Sequence, residues 1–115
     1  MKILIVDDND VMREMIRSFL PESCDEIREC DKGVDTLDCY RAFLPDWVIM
    51  DWEMKPLDGL AVLRQILGGY PDAKILLVTQ YDEPELSTTA QEAGAKGLIL
   101  KDQLLALRRF LPFQL

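Results

Sequence analysis

Four stretches of this chain are apolar without interruption, and each ends at a polar or charged residue. Ile3-Leu4-Ile5-Val6 runs into Asp7-Asp8-Asn9-Asp10, and Trp47-Val48-Ile49-Met50 runs into Asp51. Ile75-Leu76-Leu77-Val78 stops at Thr79, and Gly97-Leu98-Ile99-Leu100 stops at Lys101. Short runs with no polar face read as strands buried on both sides. Glu26 to Cys30 alternates with Glu and Arg and reads as a weaker strand at an edge.

The intervening segments carry helical spacing. Val11, Met12, Met15, Ile16, Phe19 and Leu20 follow a possible cap at Asn9 or Asp10, and Pro21 stops the run. Gly33 to Leu44 predicts a helix with Val34, Leu37 and Leu44 inward. Pro56, Asp58 and Gly59 mark a turn and a helix start. Leu60, Leu63, Ile66 and Leu67 then share a face that Gly68-Gly69 should end. Asp82-Glu83-Pro84 opens a helix reaching Gly94, with only Leu86, Ala90 and Ala93 to bury. Asp102 is expected to cap a last helix to about Leu111, ended by Pro112.

Five strands alternating with five helices imply right-handed βαβ crossovers and a mostly parallel sheet covered on both faces. The functional crevice of such a sheet lies beyond the carboxyl ends of its strands. Asp7, Asp8, Asp51, Thr79 and Lys101 all stand there, on four strands.

Composition narrows the function. At 115 residues the chain fits one domain. It has no histidine, which removes His-based catalysis, and Cys24, Cys30 and Cys39 lack metal-ligand spacing and read as reduced, mostly buried thiols. A net charge of −8 argues against direct nucleic-acid binding. No apolar run approaches a membrane span, and no basic leader precedes one, so a soluble cytoplasmic chain is expected.

If the first and third strands are neighbours, Asp7, Asp8 and Asp51 converge, and their charges demand a cation or protonation. Carboxylate and carbonyl oxygens suit Mg²⁺. With Lys101 as a mobile cation and Thr79 as a hydroxyl donor, such a site surrounds a phosphoryl group, and Asp51 is the natural nucleophile. Trp47 and Trp52 read as packing and rim residues.

The ordered set Asp7-Asp8, Asp51-Trp52-Glu53-Met54, Asp58-Gly59, Thr79, Ala93-Gly94-Ala95 and Lys101 resembles the receiver domain of bacterial two-component response regulators, of the chemotaxis type, over the whole chain. The resemblance implies a flavodoxin-like, doubly wound α/β fold: a five-stranded parallel sheet in the order 2-1-3-4-5. It implies residues 1–115 as a single receiver domain with no output domain, a switch rather than an enzyme. Asp51 would accept a phosphoryl group from a histidine kinase or phosphotransfer protein. Asp8, Asp51 and the Glu53 backbone carbonyl would hold Mg²⁺, with Asp7 acting mostly through a water. Lys101 would pair with the phosphoryl group and Thr79 would swing in to bond it.

The sequence also departs from the family pattern. Leu98 stands where many receivers carry an aromatic switch residue, Gln80 where a small residue is usual, and Asp102 where proline is frequent. Pro56 is one position late. Glu53 and Tyr81 are expected to line the water's approach and set the phosphoryl lifetime. The apolar surplus Leu104, Leu105, Leu107, Phe110, Leu111, Phe113 and Leu115 reads either as a core face with a folded-back tail or as a partner or homodimer surface shared with the 83–93 helix. Two other functions fit part of the pattern. One is a degenerate receiver acting as a scaffold for an unknown output protein. The other is a Mg²⁺-dependent phosphatase of the haloacid dehalogenase type, with Glu53 as its second acid.

Overall fold

The computed structural model describes residues 1–112. Phe113 and Leu115, expected in an apolar tail, lie outside the described residues. The strands are β1 (Lys2–Val6), β2 (Glu26–Cys30), β3 (Trp47–Asp51), β4 (Ile75–Thr79) and β5 (Gly97–Leu100). Between them run α1 (Asp10–Ser18), α2 (Gly33–Phe43), α3 (Gly59–Gly69) and α4 (Pro84–Ala93), and a 3₁₀ helix spans Leu104–Arg109. All pairings are parallel and the order is β2-β1-β3-β4-β5.

Side chains alternate across the sheet and split the core in two. Leu4, Val6, Val48, Met50, Ile75 and Leu77 face α2, α3 and α4, where they meet Tyr40, Phe43, Val62, Leu63, Ile66 and Ala90. Ile3, Ile5, Ile49, Leu76, Val78 and Ile99 face the other way, against Ile16, Leu104, Leu107 and Leu111. Each such side chain contributes about 1.5–3 kcal/mol by leaving water. As expected, β2 is the exposed edge, with only Cys30 buried.

Several local expectations are corrected. Val34 and Leu44 are 54% and 57% exposed, and Thr36, Tyr40 and Phe43 point inward in their place. Leu44 is the left-handed C-cap of α2, at φ 49°, which turns it out to solvent. Buried Thr36 is satisfied by donating its hydroxyl to the Lys32 carbonyl at 2.9 Å. Helix α1 ends at Ser18, before Pro21, and Val11, Met15 and Phe19 stay exposed. Gly68 and Gly69 form the last turn of α3, and Tyr70 is its C-cap. Asp102 caps nothing: Gln103 precedes the 3₁₀ helix and gives no side-chain cap. That short helix buries Leu104 and Leu107, and Leu111 is buried just beyond it, so the core-face reading accounts for most of the apolar surplus.

Candidate functional site

The carboxyl ends of β1, β3, β4 and β5 deliver the candidate residues to one crevice. Asp51 is the last residue of β3 and Thr79 the last of β4, while Asp7 and Lys101 follow β1 and β5 directly. Parallel pairing of Val6 with Met50 places the ends of β1 and β3 level, which brings the acids together. One carboxylate oxygen from each of Asp7, Asp8 and Asp51 lies within 4.8 Å of the others. Asp7 and Asp51 are buried, whereas Asp8 is exposed.

Helix α3 braces this arrangement. Asp58 caps it, accepting from Ala61 N–H at 2.9 Å, and Gly59 N–H donates to the Trp52 carbonyl at 2.8 Å. A Cβ on Gly59 would stand 2.2 Å from the Asp51 carbonyl oxygen and 2.9 Å from Trp52 Cα. Only glycine permits that approach. The same loop contains a cis Lys55–Pro56 peptide bond.

The electrostatics are under tension. Two carboxylates within 4.8 Å repel by roughly 3–4 kcal/mol at an effective dielectric near 20. Burial, and then the Asp7 charge, push the Asp51 carboxyl up to about 6, against the opposing bond and charge of Lys101. Burial also raises Asp7, although the Asn9 amide opposes it by donating to Asp7 Oδ1 at 2.9 Å. Lys101 Nζ stands 3.1 Å from Asp51 Oδ1. Burial pulls the Lys101 ammonium down, but the bond to Asp51 and the charges of Asp51, Asp7 and Glu53 leave it raised on balance. Asp7 Oδ2 is the buried side-chain polar atom without a hydrogen-bond partner among the described residues. Three hard oxygen donors, one of them orphaned, fit a hard divalent cation.

Two expected residues sit otherwise than a static reading suggests. Thr79 donates its hydroxyl to Glu53 Oε2 at 2.7 Å and accepts from Tyr81 N–H at 3.2 Å. The second Glu53 oxygen accepts from Gln80 N–H at 3.2 Å. The Glu53 side chain therefore clasps the end of β4, while its own N–H donates to Asp51 Oδ1 at 3.2 Å. Leu98 lies within β5, partly buried against the α4 side of the core, and borders a cleft with Tyr81, Glu83 and Pro84. It does not join the carboxylates. A larger groove of about 620 Å³, lined by Asp8, Trp52, Glu53, Met54, Tyr81 and Leu86 among others, opens beside the site.

Sequence reasoning missed Arg13 and, beyond the cap it offered, the second role of Asn9. Arg13 donates from Nη1 to the Asp7 carbonyl at 2.6 Å and from Nε to Glu29 at 2.8 Å, pinning the end of β1. Asn9 both holds Asp7 through its amide and caps α1 by accepting from Met12 N–H at 3.0 Å. The signal for Arg13 was an isolated cation one turn into a helix that begins at an acidic cluster.

Residues 3–108 match the family model of the response regulator receiver domain. The chain belongs to that family. Response regulator GacA of Pseudomonas aeruginosa is 36% identical over 102 residues, 87% of this receiver and 48% of that protein. The uncharacterized transcriptional regulatory protein YhcZ of Bacillus subtilis is 34% identical over 104 residues, 89% of this chain and 49% of its own length. The chemotaxis protein CheY of Halobacterium salinarum is 33% identical over 100 residues, 87% of this chain and 83% of that one. The receiver thus spans about half the length of GacA and YhcZ, and most of CheY. Among solved structures, CheY4 of Vibrio cholerae superposes with a TM-score of 0.81 at 26% identity, covering 96% of this chain and 98% of that one. The receiver domain of the response regulator NarL from Mycobacterium tuberculosis gives 0.81 at 28%, covering 92% and 90%. The order 2-1-3-4-5 expected from the sequence is the order observed. No helix among the described residues is long and apolar enough to cross a membrane.

Proposed function

We propose that this receiver is the phosphoacceptor switch of a two-component phosphorelay, with Asp51 as the acceptor. The observation that carries the reading is a buried carboxylate held 3.1 Å from an ammonium and beside two further acids. An Asp51 oxygen attacks the phosphorus of a phosphohistidine. A P–O bond forms as the P–N bond breaks, and the electron pair leaves on the donor imidazole. Asp51 reacts as a carboxylate, so no proton need be removed. Lys101 meets the charge of the arriving group, and Thr79 gives up Glu53 to donate to a phosphoryl oxygen. Asp8, Asp51 and the Glu53 backbone carbonyl would hold Mg²⁺, with Asp7 acting through a water. When bound, that ion draws charge from the phosphoryl oxygens.

The partners follow from the surface. Val11, Met15 and Phe19 recur every four residues on or just past α1, which begins two residues after Asp8. An exposed apolar stripe there suits the helix of a histidine kinase or phosphotransfer protein. The thinly anchored α4 and the adjoining Leu98 suit readout by an output protein. A homodimer through residues 83–93 and 102–111 would rest chiefly on Leu105, 58% exposed, because its apolar neighbours are largely buried. We take these residues to act as a cytoplasmic receiver domain, themselves binding neither nucleic acid nor membrane, and as a switch rather than an enzyme. The phosphatase reading is disfavoured because residues 3–108 match the receiver-domain model. The scaffold reading is disfavoured by the complete set Asp8, Asp51, Thr79 and Lys101.

Incubation with acetyl phosphate and Mg²⁺ tests the proposal by intact mass. The wild type should gain one phosphoryl group and Asp51→Asn none. Equal labelling of both proteins, or turnover of a generic phosphate ester, refutes it.

A further inference from the structure

Away from the acidic crevice, two thiols meet at the edge strand. Cys30 ends β2 and is buried, and Cys39 lies in the second half of α2 and is partly exposed. Cys39 Sγ donates to Cys30 Sγ at 3.3 Å. A cleft of about 330 Å³, bordered by Arg13, Glu29, Asp31 and Asp35, opens onto both residues. Cys24 lies apart, in the loop between α1 and β2. The bond length of a disulfide is about 2.05 Å, so closure needs little more than an ångström of approach. Both sulfurs sit on regular elements, and Cys30 is further located by the Lys32 carbonyl at 3.3 Å and Thr36 Oγ1 at 3.6 Å. A metal is the poorer occupant, because among the described residues the acids around these thiols do not join them in a ligand group.

We propose that Cys30 and Cys39 form a redox-active dithiol which a small organic disulfide converts into a bridge between α2 and the end of β2. The Cys39 thiolate attacks one sulfur of the oxidant, forming a mixed disulfide and expelling one thiolate. Cys30, deprotonated, then attacks the Cys39 sulfur, and the second thiolate leaves. The two protons of the pair end on the two released thiols, and two electrons pass to the oxidant. Burial, the bond to Cys30 and the charges of Cys30, Asp35 and Asp38 push the Cys39 thiol up to about 11. A thiol raised in this way slows the first attack at neutral pH. The bridge would also reach the acidic crevice, since the Cys30 carbonyl accepts from Asp7 N–H at 3.1 Å.

The test uses the full chain carrying Cys24→Ser, incubated with oxidised glutathione and followed by intact mass and peptide mapping. The expected product is two hydrogens lighter, joined between Cys30 and Cys39, and reversed by dithiothreitol. It should melt roughly 5–10 °C above the reduced form. Cys39→Ser, at the more exposed position, should give no bridge while keeping its circular dichroism. The mapping requires no variant at Cys30. Persistent glutathione adducts on Cys39, thiols left unreacted over days, a bridge that forms only in urea, or a bridged form that melts lower would each overturn the proposal.

Discussion

Helices α3 and α4 lie over the same face of the sheet and differ by one residue in length, yet they are held very differently. Helix α3 buries Gly59, Val62, Leu63 and Ile66, and its first residue presses on the backbone of Asp51. Helix α4 buries Ala90 alone, with Leu86 and Ala93 half-covered. The first is over-determined and the second lightly anchored, and the carboxylate cluster lies beside the first. Local openings concentrate where few apolar contacts hold an element. Of these two helices α4 is the more compliant, and under the function proposed above a signal from Asp51 would reach it through Thr79.

The largest expected effect is on the α3 side. Ile66→Ala should lower unfolding free energy by about 2–5 kcal/mol in a urea titration. A loss below about 1 kcal/mol would dissolve the contrast. Asp51→Asn should come next, and it should stabilise. The folded acid titrates near 6 against a usual 3.8, so the native state binds more protons between those values and stability falls as pH rises through them. Removing the charge should gain roughly 1–3 kcal/mol at pH 7 in chelator-treated buffer, and almost nothing below about pH 4. Equal gains at both pH values would show that the buried charge is not the cause. Leu86→Ala in α4 should cost about 1 kcal/mol or less. The finest test is Glu53→Ala, which cuts the bonds to Thr79 and Gln80. Amides at the start of α4 should exchange several-fold faster while those of α3 hold their rates. Uniform change across both helices would remove Glu53 as the tie between them.

The contrast between these helices was partly legible in the chain. Leu60, Leu63, Ile66 and Leu67 announce a full apolar face, whereas Glu83 to Ala93 offers little to bury. The strands were legible because uninterrupted apolar runs admit few other readings. Their polar terminators carried the site, since parallel strands send such residues to one edge. The rotation of α2 was not legible. A 3.6-residue count favours Val34 and Leu44, but the buried stripe is Gly33, Thr36, Tyr40 and Phe43, with Gly33 so close that a Cβ on it would stand 2.6 Å from the Leu57 carbonyl. Nor could spacing show that Asp102 leaves its helix uncapped, or that Thr79 donates to Glu53. Both depend on which acceptor wins among several within reach, and a one-dimensional pattern does not rank them.

The glycine at the head of α3 has one more consequence. Because Gly59 fits against the Asp51 carbonyl with no room for a single added carbon, the Asp51 main chain cannot retreat without dragging along a helix anchored by Val62, Leu63 and Ile66. If Asp51 takes the phosphoryl group as proposed, it would then serve as an anvil, and the movement would fall to side chains such as Thr79 rather than to its own main chain.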